Sequence, residues 1–263
     1  MTTVRKVVRY QMSNVARSRW LVAYAMFFLL VSEGLLRFSG DVSKTALSLI
    51  NVVLFIVPLV ALVFGTVYLY NAREFTELLL AQPVRRWQLY TGLYLGLTLP
   101  LVAAFAIGLA APFAVRRLSG VPFDGSITAL LVAGSVLTAI FTGIATLVAT
   151  CAEDRLRGLG VAIGVWLLFT VVYDGFVLFI LAVFADYPLE RPTLVLMMTN
   201  PIDVARVALL LRFDAAALMG YTGAVFEEFF GGATGVAVTV AALALWASVP
   251  ALLGARVFQR KDF

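Results

Sequence analysis

An aspartate inside a long apolar stretch is the residue of this chain best placed to do chemistry. Asp174 follows Tyr173 within an otherwise hydrophobic segment. An ionisable side chain at membrane depth is costly unless it faces water or a polar partner, so this pair is a candidate pathway or gating site. A hydrogen bond to a neighbouring hydroxyl that fixes helix packing is the alternative interpretation.

Most other catalytic and metal-binding chemistry is missing. The sequence contains no Gly-x-x-x-x-Gly-Lys-Ser/Thr, so the chain does not bind ATP through a P-loop. It has no histidine and one cysteine, Cys151, which excludes a His/Cys metal cluster and an internal disulfide. Met197 and Met198 carry soft thioethers suited to Cu(I), but adjacent helical residues point about 100° apart, which favours packing. We predict no catalytic residue, cofactor or metal on the chain itself, with Cys151 a small buried residue.

The composition places these residues in a membrane. Hydrophobic residues make up 62% of the 263 residues, charged residues 13%, and the mean hydropathy is +0.98. A bilayer span needs about 20 mainly apolar residues, and only helices satisfy their own backbone groups there. The sequence predicts a single all-α polytopic membrane domain over residues 1–263. Its six predicted spans are Trp20 to Leu36, Ala46 to Tyr70, Leu89 to Val115, Ile127 to Ala152, Leu159 to Phe184 and Ala233 to Val257.

The basic residues predict which side of the membrane each connection faces. Thirteen of the 20 Lys and Arg residues fall in the N-terminal segment, in the connections after the second and fourth spans, and at the C-terminus. Basic residues near span ends stay on the cytosolic side, so we expect an inner-membrane protein with both termini in the cytosol. Anionic lipid at that surface explains the net charge of +5 without any nucleic-acid partner.

Residues 4–19 predict an amphipathic helix on the inner membrane surface. The segment has no apolar core followed by a small-residue cleavage site, so we expect no removable signal peptide. A bare stop-transfer cluster of charges is the alternative. The apolar positions that recur at helical spacing are Val4, Val7, Val8, Met12 and Val15.

The connection after the second span, residues 72–87, predicts a short charged helix. Phe75, Leu78 and Leu79 are expected on one face, the acidic residues on another, and Pro83 ends the segment. A short amphipathic helix held between two spans can push on a partner or be pushed by it. A solvated connection lying on lipid headgroups is the alternative.

Residues 186–232, between the fifth and sixth spans, mix apolar runs with Pro and Gly. The apolar runs are too short to cross a bilayer. We therefore expect short helices on the outer surface, periplasmic or re-entrant.

Six spans, an interfacial N-terminal helix and the sequence from Thr76 to Arg86 together resemble the type-2 class of ATP-binding-cassette permeases. In that family the corresponding segment is a coupling helix that contacts a separate cytosolic ATPase subunit, where ATP and Mg are bound. The resemblance implies a coupling role for these residues: Arg73, Glu74, Phe75, Glu77, Leu78 and Arg85. It implies secondary contacts from the connection after the fourth span: Glu153, Asp154 and Arg155.

Three further segments resemble the permeases of the nitrous-oxide reductase maturation system. They are residues 164–175, residues 217–226 and the segment that contains Asn200, Pro201, Asp203 and Arg206. The resemblance implies a second copy of the chain, a periplasmic β-helical protein and a role in copper-site assembly.

Three other functions remain open from the sequence. One is an exporter of a lipid, drug or peptide, and another is a membrane scaffold that transmits force and moves nothing across. Tyr173 and Asp174 also resemble part of an intramembrane aspartyl protease site. Such a protease is disfavoured because it needs a second aspartate in Gly-x-Gly-Asp, which this chain lacks.

Overall fold

The computed structural model describes residues 3–118, 125–184, 190–213 and 232–261. These residues are helical, and no strand occurs among them, which confirms the predicted all-α class. Within these ranges six helical segments are long and apolar enough to cross a membrane, as predicted. The motif at residues 217–226 and the start of the predicted outer segment at 186–189 lie outside the described residues.

Five of the six spans are continuous helices, and the fifth is composite. The continuous ones are α2 (Arg19–Ser39), α3 (Val42–Asn71), α5 (Arg86–Leu118), α6 (Gly125–Cys151) and α11 (Ala233–Arg260). The fifth span is made of α7 (Arg155–Leu167), a π-helical segment (Leu168–Val172) and α8 (Tyr173–Val183). A π-helical turn inside an α-helix is rare and occurs frequently at functional sites.

The first two spans form a tight hairpin because local residues stop one helix and start the next. Gly40 ends α2 in the left-handed region, at a φ of 65°, where glycine has no steric penalty. Asp41 then caps α3 by accepting a hydrogen bond from the Ser43 amide at 2.8 Å.

The core lies between α2, α3, α5 and α6. Phe28 of α2, Phe105 of α5 and Phe141 of α6 are fully buried there, and the Phe28 and Phe105 rings pack edge to face at 5.0 Å. Gly134 of α6 lies directly against the Phe105 ring, leaving no room for a side chain. The fifth span and α11 pack on the outside of this group, and their outer faces carry exposed large apolar side chains.

The N-terminal helix α1 (Thr3–Ala16) packs lengthwise against the start of α5. Two glycines of α5 make this close approach possible: a Cβ added at Gly92 would lie 2.6 Å from Val7, and one added at Gly96 would lie 2.5 Å from Gln11. The buried face of α1 consists of Val7, Gln11 and Val15. Met12, which the sequence grouped with the apolar positions, is partly exposed. Residues four apart share a helical face, so Gln11 and not Met12 lies in one row with Val7 and Val15.

The first and last described helices, α1 and α11, both reach the same end of the bundle, as an even number of spans requires. Arg86, at the start of α5, donates to the Gln259 and Lys261 carbonyls at 3.0 Å and 2.7 Å. The Lys261 ammonium in turn donates to the Thr150 carbonyl at the end of α6. We call this end of the bundle, with α1 and the two short connections, the basic end.

The helices α9 (Glu190–Met198) and α10 (Pro201–Arg212) lie before the last span. Their axes meet at 111°, so the chain turns back on itself between them. Asn200 caps α10 by accepting the Ile202 amide at 3.0 Å, and Pro201 occupies the first helical turn, where its missing N–H costs nothing. We call residues 199–201 the elbow.

Candidate functional site

The first short connection at the basic end folds as α4 (Arg73–Leu80), shorter than the predicted segment of residues 72–87. Arg73 holds it in place from two sides. Its Nε donates to Glu77 at 3.0 Å within α4, and its Nη1 donates to the Glu153 carbonyl at 3.1 Å in the other connection. The two connections predicted to contact a partner are therefore joined into one surface.

The inner face of α4 packs on the bundle. Thr76 is buried and donates to the Ala72 carbonyl, and the Phe75 ring stacks on Tyr10 of α1 at 4.8 Å. Phe75, predicted to contact a partner, therefore contacts the N-terminal helix.

The outer face of α4 carries Glu74 and Leu78. Leu78 is 69% exposed, although it was expected to share an apolar face with Phe75. The direction of α4 is set by its buried row through Thr76, and this turns Leu78 outward beside Glu74. Leu78 is therefore an exposed apolar side chain between charged residues at the basic end.

The second connection presents a matching exposed leucine. Asp154 caps α7 by accepting the Leu156 amide at 3.2 Å, so its role in this structure is to start the helix. Leu156 is 77% exposed. Sequence analysis missed Leu156, although an apolar residue surrounded by charges in a short connection is a usable signal.

The remaining predicted contact residues are exposed around these leucines. Glu153, Arg155 and Arg85 all carry exposed side chains at the basic end. We call the exposed set Glu74, Leu78, Glu153, Arg155 and Leu156 the coupling surface.

A second cluster lies within the membrane-spanning part and joins the fifth span to α10. Arg206 contacts two carboxylates, Asp203 at 2.8 Å and Asp174 at 3.2 Å. The Asp203 side chain is 4% exposed, whereas Asp174 is 34% and Arg206 29% exposed. Sequence analysis selected Asp174 and the Asn200–Arg206 motif for separate reasons, and the structure brings them together.

Asn200 completes the cluster by bridging α10 to the π-helical segment. Its amide nitrogen donates to the Phe169 carbonyl and to Asp203, both at 2.9 Å. Asn200 is fully buried, and both of these contacts depend on its position at the elbow. The π-helical turn therefore lies where a side chain from another helix bonds to the backbone of the fifth span.

Tyr173 and Trp246 bond the elbow and the end of α9 that precedes it. The Tyr173 hydroxyl bonds the Thr199 hydroxyl and donates to the Leu196 carbonyl, and the Trp246 indole donates to the Met198 carbonyl at 3.2 Å. Tyr173, a predicted gating candidate, therefore joins the elbow and the end of α9 to the fifth span.

The described residues contain no group of three or more His, Cys, Asp or Glu that could hold a metal ion. Met197 and Met198 pack with Leu194 against Val207, in line with the packing interpretation. Cys151, predicted to be buried, is exposed at the end of α6. The reason is that it is the last residue of its helix, beyond the packed part of the span.

A comparison with known protein families identifies the architecture. The profile of the ABC-2 family transporter proteins matches residues 6–263. The chain belongs to this family. It is therefore a permease subunit of an ABC transporter, and the family implies a partner ATPase and a dimeric arrangement.

Two curated relatives match along nearly their whole length. A probable ABC transporter permease protein NosY from Pseudomonas aeruginosa is 28% identical, with 99% of each chain covered. A probable ABC transporter permease protein NosY from Stutzerimonas stutzeri is 27% identical, also with 99% of each chain covered. This ABC-2 permease is similar to both over all six spans and both short connections.

Proposed function

We propose that this ABC-2 permease transmits the conformational work of a cytosolic ATPase to the far side of the inner membrane, through the coupling surface and the elbow. One observation carries the proposal: Arg73 joins α4 to the second connection, so a single surface with two exposed leucines lies at the basic end. Apolar side chains ringed by charge fit a partner that covers them.

The charge distribution supports a cytosolic position for this surface. The basic end contains the termini and the two short connections, which carry most of the Lys and Arg residues. A nucleotide-binding partner in the cytosol can reach the coupling surface only from that side.

A second copy of the chain is the proposed partner for the fifth span. Asp174 and Arg206 are about a third exposed at membrane depth, although each is part of an ion pair. Contact of such groups with lipid is unfavourable, so a second copy or a water-filled seam between two copies must cover them. The exposed apolar side chains of α8, such as Phe176 and Phe179, extend the same span and suit a helix–helix contact.

We further propose that the system served is the copper-site maturation of nitrous-oxide reductase, with a periplasmic β-helical protein on the outer side. The two NosY relatives and the sequence motifs of the fifth span and the elbow support this assignment. In the cluster, Asp174 and Asp203 both bind Arg206 and Asn200 fastens the elbow, so these side chains are occupied in packing. That arrangement favours transmission of movement over ligation of a metal by these residues.

The experiment is a co-purification of the tagged chain with its ATPase, comparing Leu78→Asp with Gln259→Asp. Both substitutions place the same charge on an exposed side chain at the basic end, but only Leu78 belongs to the coupling surface. We expect the Leu78 variant to bind the ATPase roughly 30-fold more weakly, because burying a carboxylate in place of a leucine at a contact centre costs about 2 kcal/mol.

The Gln259 variant should bind like the unaltered chain. Equal ATPase binding by both variants would overturn the coupling surface. Normal ATPase binding together with normal reductase maturation in the Leu78 variant would overturn it as well. A permease that binds its ATPase yet has no effect on reductase maturation when deleted would leave the coupling surface standing and remove the copper-maturation assignment.

A further inference from the structure

A cavity at the end of the bundle opposite the termini is not used by the coupling mechanism. It lies between α6, α10 and α11 and has a volume of about 670 Å³. Most of its lining is apolar, and its walls include Ala133, Leu209 and Leu243. Exposed Val132 and Val240 flank the opening, so the cavity opens sideways between two spans, where lipid lies.

The depth of the cavity matches one leaflet of a bilayer. Its lining residues on α6 extend from Gly125, the first residue of that helix, to Val136. At 1.5 Å per residue this stretch covers about 16 Å. Half of a hydrocarbon core is about 15 Å thick, so the cavity is about as long as the acyl chains of one leaflet. It begins at the N-terminal end of α6, at the level of the lipid headgroups.

One basic residue lies at the headgroup end. Arg212, in the last turn of α10, lines the cavity, and its guanidinium is 3.4 Å from the position that a Cβ on Gly125 would occupy. Its side chain is exposed, and within the described residues it makes no ion pair. The Thr128 hydroxyl also lines this end of the cavity.

We propose that this cavity is a binding site for a phospholipid of the adjacent leaflet. The acyl chain occupies the apolar part between α6 and α11, and the phosphate bonds the Arg212 guanidinium. A guanidinium recognises phosphate through paired charge-assisted hydrogen bonds. A free phosphate would leave the apolar volume empty, and a lipid without a charged headgroup would leave the Arg212 guanidinium without an anionic partner at the membrane surface.

A second groove on the same molecule provides a matched comparison. It lies between α1, α2 and α5 and is lined only by apolar residues such as Leu21, Leu99 and Ile107, with a volume of about 330 Å³. Lipid chains can enter it, but it has no basic side chain in its lining. Headgroup selectivity is therefore expected only in the cavity with Arg212.

The test uses the full-length chain in nanodiscs containing a photoactivatable phospholipid or a diacylglycerol with the same photoactivatable chain. Cross-linked residues are mapped by mass spectrometry. We expect the phospholipid to label residues 125–136 and 236–243 roughly tenfold more than the diacylglycerol does, which is the selectivity of about one charge-assisted contact. Labelling of the comparison groove should not differ between the two probes.

Two variants distinguish binding of the acyl chain from recognition of the lipid headgroup. Ala208→Trp fills the cavity and should abolish labelling there while leaving the comparison groove unchanged. Arg212→Gln, at an exposed position, should leave folding intact and reduce the phospholipid preference to about that of the comparison groove. Equal labelling by the two probes in the unaltered chain would overturn the proposal, as would a phospholipid preference that persists in Arg212→Gln.

Discussion

Arg206 provides the sharpest test of the cluster that joins α10 to the fifth span. It is the common partner of a carboxylate that is 4% exposed and of another that is 34% exposed. Replacing it with glutamine removes the cation that compensates Asp203 and leaves that side chain next to the Asn200 amide and the Asp174 carboxyl. Removing one member of a buried pair costs about 3–5 kcal/mol because the remaining charge is uncompensated.

The partial exposure of Arg206 and Asp174 reduces this cost, so the lower value, about 3 kcal/mol, applies. For a chain of this size 1 kcal/mol shifts the unfolding midpoint by roughly 2–4 °C. We therefore expect Arg206→Gln to lower the midpoint by roughly 6–12 °C. The assay is thermal unfolding in detergent free of phospholipid, followed by tryptophan fluorescence, since Trp246 donates to the Met198 carbonyl, next to the elbow.

Two further variants make the reasoning refutable. Arg37→Gln removes an exposed ion pair with Glu33 and should shift the midpoint by only about 1–2 °C. The double variant Asp203→Asn with Arg206→Gln removes the buried charge as well and should recover at least half of the loss. If Arg206→Gln lowered the midpoint no more than Arg37→Gln does, the cluster would not stabilise the contact between α10 and the fifth span. If the double variant were as unstable as Arg206→Gln alone, an uncompensated charge on Asp203 would not be the cause of the loss.

Two more predictions concern the basic end. Gly96→Leu should destabilise the fold by about 1–3 kcal/mol and so lower the unfolding midpoint, because a side chain there overlaps Gln11 of α1. The same change at Gly34, which has nothing within 4 Å, should leave the midpoint unchanged. Equal midpoints for the two variants would contradict the packing of α1 on α5. Glu77→Gln should change the free energy of unfolding by less than about 0.5 kcal/mol, because its ion pair with Arg73 is exposed. Loss of the ATPase response in this stable variant would then indicate that Glu77 contacts the partner. A much lower unfolding temperature would contradict this use of Glu77 as a contact residue.

The membrane architecture could be predicted from the sequence because each span is long, apolar and flanked by charges or turn residues. Each of the six predicted spans overlaps one observed helical segment, and the bounds differ by a few residues at the ends. The end of α2 at Gly40 and the start of α3 at Asp41 follow local capping rules that act within a few residues.

Side-chain direction on short helices could not be predicted in the same way. Apolar periodicity grouped Met12 with Val7 and Val15 on α1, yet Gln11 is the residue buried with these two valines, because the glycines of α5 decide which row packs. On α4 the same reasoning placed Leu78 with Phe75, whereas the contact of Thr76 with the bundle turns Leu78 outward. Hydrophobicity patterns describe a helix alone, and these outcomes depend on its neighbours.

The cluster shows the same limit at longer range. Asp174 was conspicuous as an acid in an apolar stretch, and residues 200–206 were conspicuous as a motif, but no local pattern connects them. Their association depends on the 111° turn at the elbow, which brings α10 back against the fifth span. The π-helical turn beside Asn200 likewise has no signature in the apolar residues that form it.

The glycines that receive α1 also constrain the order in which the chain assembles. During synthesis α1 emerges before α2, α3 and α4, yet the surface that accepts Val7 and Gln11 belongs to α5. Before α5 has been made, the packing surface for Val7 and Gln11 does not exist. The contact of α1 with Gly92 and Gly96 therefore forms only after the first three spans have been synthesised, and it joins the two ends of that part of the chain.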